Sequence, residues 1–228
     1  MRLGGLWVVV EMAARALRDP QIDRWKDAIV LGALREDVMH LPVADRVVEH
    51  LSFSHFYRPG LPGGLIPFLW PGPRLKADRF FARAVDRHRA GDVGGAFVSL
   101  GRASHLLTDM CCPVHAHRTV HLTDGFEWWV DAHARELVEL PVPETAPVSS
   151  AAELIERMAR FAQSFETDAT HHPIGSALHS RGRRRRLSAR ECGAQARALI
   201  PQAAAETVAL FRLFDASTRE CSPQHTSV

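Results

Sequence analysis

Cysteine is scarce. The 228 residues hold four, Cys111, Cys112, Cys192 and Cys221, and none has C-x-x-C spacing. So few in so long a chain do not make a disulfide scaffold, and the adjacent pair Cys111-Cys112 is poorly placed to bridge to itself. Long apolar runs are missing too. Nothing approaches about 18 consecutive apolar residues, so no transmembrane helix is expected. The opening MRLGGLWVVVEMAARAL is interrupted by Glu11 and Arg15 and shows no small-residue cleavage site, so no signal peptide is expected. An excess of one sign of charge is nearly absent, with a net +2, which implies no strong overall field toward nucleic acid or membrane. No segment alternates apolar and polar with a period of two, and no repeats are visible.

What is present is a 46% hydrophobic composition and thirteen histidines. The first supplies enough apolar residues for a sizeable core. The second is a prompt, because imidazole is the commonest metal ligand and titrates near neutral pH.

The apolar spacing predicts an all-α chain. An amphipathic helix is expected over 6–18, on the stripe Leu6, Val9, Val10, Ala13, Ala14 and Leu17, ended by Asp19-Pro20. A second runs over 21–35 into Glu36-Asp37, and a short third over 43–51. Residues 52–73 hold five prolines and four glycines and read as a loop, though one rich in aromatics. Further helices are expected over 75–90, 93–111 and 126–140. After a proline-rich linker at 141–149, Ser149-Ser150 caps a helix over 151–168. Residues 169–187 are irregular and basic, and a last helix covers 189–215, with Pro201 a kink or a restart. One domain over 1–228 is expected, its core at about 30–135 and its C-terminal helices at 150–215.

Chemistry concentrates at 101–117. His105 and Asp109 are four apart and share one helix face. Pro113 stops that helix, since the residue before a proline is pushed out of the α region. His115 follows, where the chain can fold back toward the same face. Imidazole, carboxylate and imidazole converging on one point describe a metal site with N and O ligands; ordinary polar residues at a helix end are the competing reading. Asp37, His55, Glu127 and Asp131 extend the set. Glu127 and Asp131 are again four apart, and two such pairs on neighbouring antiparallel helices can face one cavity.

These blocks resemble the zinc-dependent phospholipase C family, whose fold is shared with single-strand-specific zinc nucleases. Phe53-Ser-His-Phe-Tyr-Arg-Pro is similar to its F-x-x-H-F-Y-D-P loop, with Arg58 where Asp is usual. Gly101 to Ala116 is similar to its G-x-x-x-H-x-x-x-D-x-x-x-P-x-H-A block. Gly125-Phe126-Glu127 to Asp131 resembles the helix that follows. The resemblance covers about residues 5–135. It implies a multi-helical domain and two or three Zn2+ ions. His55, His105 and Asp109 would hold one ion, with Asp37 a further ligand or the base on the attacking water; His115, Glu127 and Asp131 would hold a second, and Asp109 would be shared between metals. Glu127 stands where His is usual, and Asp131 where the phospholipases have Glu and the nucleases Asp. The family's third zinc uses an N-terminal Trp and a nearby His; here Gly5 takes that His position and no Trp precedes it. Either the assigned start is late or the site has two metals.

The implied activity is phosphodiester hydrolysis, a hydrolase acting on a phospholipid with peripheral contact to a membrane surface. A single-strand nuclease is the alternative, favoured by Asp131 and the run Arg181, Arg183 to Arg186. A metal-binding protein without turnover is the third reading. The resemblance implies export; without a visible signal, the other expectation is cytoplasmic. Phe56, Tyr57, Phe68, Trp70, Trp128 and Trp129 either line a substrate cleft or pack in the core, and Ser54, Ser104 and Thr108 are candidate partners of the imidazoles.

Overall fold

The structure, a computed structural model, describes residues 1–41, 46–49, 55–61, 63, 71–119, 124–167 and 186–219, and over 37–41 and 46–49 the backbone alone. The described elements run in the order α1 (Leu3–Leu17), α2 (Pro20–Asp37), β1 (Val38–Leu41), β2 (Arg46–Glu49), α3 (Pro73–Arg89), α4 (Val93–Asp109), α5 (Pro113–Ala116), α6 (Gly125–Ala132), α7 (Ala134–Leu137), α8 (Ala151–Ala162) and α9 (Ala189–Arg219).

α4 is the centre of the assembly. It packs against α2 and α3 and also meets α1, α8 and α9. Phe97, Leu100, Leu106 and Leu107 are fully buried, and so are the polar His105 and Asp109 at its far end. A helix enclosed on nearly every side carries apolar residues all round, as Val93–Asp109 does. Its contact with α2 is made backbone to backbone. A Cβ on Gly101 would lie 2.0 Å from the Ile29 carbonyl oxygen, and one on Gly32 would lie 2.1 Å from that of Val98. Only glycine at both positions lets the two axes approach so closely.

Pairs of short elements replace two of the expected helices. Residues 43–51 contribute the strand Arg46–Glu49, which pairs antiparallel with Val38–Leu41 in the register Val38 to Glu49 and Leu41 to Arg46. Strands of four residues are too short to show alternation, and Val47-Val48 is β-branched, a composition that suits a strand better than a helix. The helix expected over 126–140 is split at His133, which caps α6 and precedes α7. Pro201 restarts nothing: α9 runs unbroken from Ala189 to Arg219. Leu199, Ile200, Ala203, Ala204 and Ala205 around it are buried, and that packing offsets the roughly 3 kcal/mol that an interior proline costs.

Ser150 caps α8, accepting from the Glu153 N–H at 3.2 Å, and Glu153 reaches back to the Ser149 N–H at 3.0 Å, a reciprocal capping box displaced by one residue. Stretch 141–149 is tied down by the side chains beside it. Arg157 donates to the Ala146 carbonyl at 3.0 Å, to Thr145 Oγ1 at 2.8 Å and, with two nitrogens, to the Glu206 carboxylate. Glu206 is 3% exposed and also accepts from Gln202 at 2.9 Å. Glu206→Ala is therefore expected to destabilise the protein by about 2–4 kcal/mol, because it strands the guanidinium and unties α8 from α9. Urea unfolding checks this, and an unchanged midpoint would refute it.

Candidate metal centre

α4 delivers the first donors. His105 and Asp109 are one turn apart on its last two turns, and both are 0% exposed. α4 ends at Asp109, three residues before the turn forced by Pro113. Cys112, next to the proline, is extended (φ −83°, ψ 116°), and Pro113 opens the one-turn helix α5 as its first residue. This reversal swings His115 back over the end of α4. The loop segment carrying His55 is laid onto the same turn: the Tyr57 N–H donates to the His115 carbonyl at 3.0 Å. Its far side is held by the Tyr57 hydroxyl, which donates to Glu156 on α8, and Phe56 stacks on the His115 ring at 5.2 Å. Asp124 caps α6 by accepting from the Phe126 N–H at 2.7 Å, so Glu127 enters from the first turn of that helix.

The donors then converge. Asp109 Oδ2 lies 2.7 Å from His55 Nδ1, 3.1 Å from His105 Nε2 and 3.5 Å from His115 Nδ1. Asp109 Oδ1 lies 2.5 Å from the Met1 amino nitrogen, which is also 3.2 Å from Glu127 Oε1. His115 Nε2 is 3.6 Å from the same Glu127 oxygen. One oxygen of Asp109 thus faces three imidazoles and the other the Met1 amino group. Among the described residues, two groups have ligand atoms all within 4.8 Å of one another: His55, His105 and Asp109, and Cys112, His115 and Glu127.

These contacts fit a cation better than a hydrogen-bond network. Oδ2 has no hydrogen-bond partner among the described residues, although three imidazole nitrogens stand within 3.5 Å of it. Lone pairs crowded this closely in a buried place repel unless protons or a cation stand between them. The donor types, imidazole with carboxylate, are those of zinc sites. Burial pushes the Asp109 carboxyl up, but the positive charge of His105, the Met1 amino group, His115 and His55 outweighs it and holds the group well below the ordinary carboxylate range. Asp124 goes the other way: burial first, then Glu127, push it up to about 7. Burial likewise holds the Cys112 thiol well above its usual range, with Asp124 and Glu127 adding to it.

The remaining expected residues are placed as follows. Asp131 lies one turn beyond Glu127 but turns to α1: its Oδ1 accepts from the Gly4 N–H at 2.7 Å and its Oδ2 is 3.6 Å from Arg2. The backbone of Asp37 ends α2; its side chain lies outside the described residues, as do Ser54, Phe68, Trp70, His121 and the arginines at 181–185. Thr108 donates to the Ser104 carbonyl at 2.9 Å and not to an imidazole. His117 contacts the Phe165 carbonyl at 3.2 Å, and the His133 ring stacks on Trp129 at 3.9 Å. Of the aromatics, Tyr57 is buried, Phe56 faces the centre, and Trp128 is half exposed beneath the Arg2 guanidinium. Cys112 is the donor that sequence reasoning passed over; its only signal was its place directly before Pro113.

No family model matches the chain, and no curated protein sequence does. Solved structures do. The alpha-toxin of Clostridium perfringens from the avian strain SWCP is similar over 97% of this chain, with a TM-score of 0.63 and 14% identity. The alpha-toxin of Clostridium absonum is similar over 96%, with a TM-score of 0.63 and 15% identity. The chain shares the all-α fold of these two toxins, its described strands being confined to one short hairpin. At such identities the likeness shows the fold alone, and the chain spans 64% and 65% of the length of these two toxins. Among the described residues no helix of this fold is long and apolar enough to cross a membrane.

Proposed function

We propose that the chain is a zinc-dependent phosphodiester hydrolase of the phospholipase C type, acting on the headgroup ester of a phospholipid. One observation carries the reading: Asp109, fully buried, turns one oxygen to His55, His105 and His115 and the other to the Met1 amino group, which also lies 3.2 Å from Glu127. His55, His105 and Asp109 would hold one ion, and His115 with Glu127 a second. Asp131, placed with that second set by the resemblance, is engaged by Gly4 and Arg2. Asp37 remains the proposed base or further ligand.

Bound ions would polarise phosphoryl oxygens and lower the pKa of a bound water from about 15.7 to about 7. The rest falls to the chain. Asp109 would supply a negative charge beside both sets of ligands. The Tyr57 N–H holds the His55 segment against the His115 turn, which orients two imidazoles with one bond. The α4 core beneath excludes water from the inner side of the donors, where charge is felt most strongly.

Zinc-loaded protein is expected to release a phosphorylated headgroup from phosphatidylcholine. Chelation should slow the reaction by about 100-fold or more, matching several kcal/mol of charge stabilisation, and zinc should restore it. A single-stranded oligonucleotide assayed alongside separates a nuclease from a lipase. If zinc-loaded protein leaves both substrates intact, the hydrolase reading is lost.

A further inference from the structure

We infer that Cys112, His115 and Glu127 form a thiolate-containing metal site, with Cys112 supplying the ligand that the family resemblance assigned to Asp131. The inference rests on the metal reading of the centre given above.

The three ligand atoms lie within 4.8 Å of one another. Cys112 is 0% exposed and His115 5%. Their mutual placement is rigid. Pro113 holds Cys112 extended at the head of α5, and the Cys112 carbonyl accepts from the His115 N–H at 3.0 Å and the Ala116 N–H at 3.3 Å. Sγ is aimed as well: it donates to Asp124 Oδ2 at 3.4 Å, and Asp124 is the residue that caps α6 and so sets the first turn bearing Glu127. A single carboxylate therefore registers the cysteine and the glutamate to each other.

Two further observations point to a ligand in this space. Asp109 Oδ2, on a 0% exposed side chain, stands 3.5 Å from His115 Nδ1, so a buried carboxylate oxygen abuts the group. Asp131, the competing oxygen donor, is spent on the Gly4 N–H and lies beside Arg2. One sulfur, one imidazole nitrogen and one carboxylate oxygen suit zinc and its soft or borderline neighbours, and do not suit magnesium or calcium, which take all-oxygen shells. On binding, the metal–sulfur bond replaces the S–H bond and the thiol proton passes to solvent.

The full chain is titrated with Co2+ and followed by near-ultraviolet absorption, where a thiolate-to-cobalt charge-transfer band reports sulfur ligation. Wild type and Cys111→Ser should both show the band, and Cys112→Ser should lose it. Zinc-loaded wild type, examined by X-ray absorption, should show one sulfur scatterer at about 2.3 Å, a measurement that needs no variant to fold. Cobalt bound without the band, oxygen and nitrogen scatterers alone around zinc, or a band that survives in Cys112→Ser would each overturn the thiolate site while leaving the metal centre standing. No cobalt retained by wild type on equilibrium dialysis would overturn the metal reading beneath it as well.

Discussion

Asp109→Asn is expected to lower both bound metal and phosphodiester hydrolysis by at least about 100-fold, with the protein still folded. Residues that only orient a ligand typically cost 10- to 100-fold on removal, and Asp109 is itself the proposed shared ligand. Asparagine keeps the shape and one oxygen but removes the charge that holds three imidazole nitrogens within 3.5 Å of Oδ2. Its amide nitrogen would put N–H donors where one cluster requires lone pairs. His105→Ala should behave in the same way, since Nε2 is 3.1 Å from that oxygen. The measurement is elemental analysis of dialysed protein beside the activity assay. Full metal content in both variants would remove these residues from the centre.

Gly101→Ala carries the second large effect, and it acts through the fold. A Cβ at this position would meet the Ile29 carbonyl oxygen at 2.0 Å and the Ala33 nitrogen at 3.0 Å. Both obstacles are backbone, so no rotamer change relieves them, and α2 must shift away from α4 as a body. Inserting a single methylene into a packed core usually costs about 1–3 kcal/mol; a backbone clash of this depth should exceed about 4 kcal/mol. His105 lies one turn farther along α4, so metal affinity should fall even in molecules that fold. Gly94→Ala is the control. Its Cβ would sit 3.5 Å from the Trp25 ring, an ordinary contact, and stability should stay within about 1 kcal/mol of wild type. Thermal melts that place Gly101→Ala beside wild type would sink the close-contact argument.

Much of the centre could be read from spacing because its first half is local. His105 and Asp109 share a face by helix geometry, and Pro113 dictates the turn that returns His115, so three donors follow from eleven consecutive residues. The helices of the core were legible for the same reason: α4 and α8 carry their buried positions at helical intervals. The second cluster was not legible. Four-residue spacing says that Glu127 and Asp131 share a face, but not that the amide of Gly4 arrives from α1 to claim one of them. Nor does spacing show that the residue before Pro113 points its sulfur at Asp124, because that contact joins two segments across a turn. The strands Val38–Leu41 and Arg46–Glu49 escaped for want of length, each being only half recognisable without its partner.

The single bond from the Tyr57 amide to the His115 carbonyl bears on how the proposed ions would enter. His55 belongs to one donor group and His115 to the other, yet their segments are clasped together and cannot be ordered separately. For the proposed two-ion centre, an ion that orders one segment would help to order the other, so loading is expected to be cooperative: a zinc titration should show little singly loaded protein.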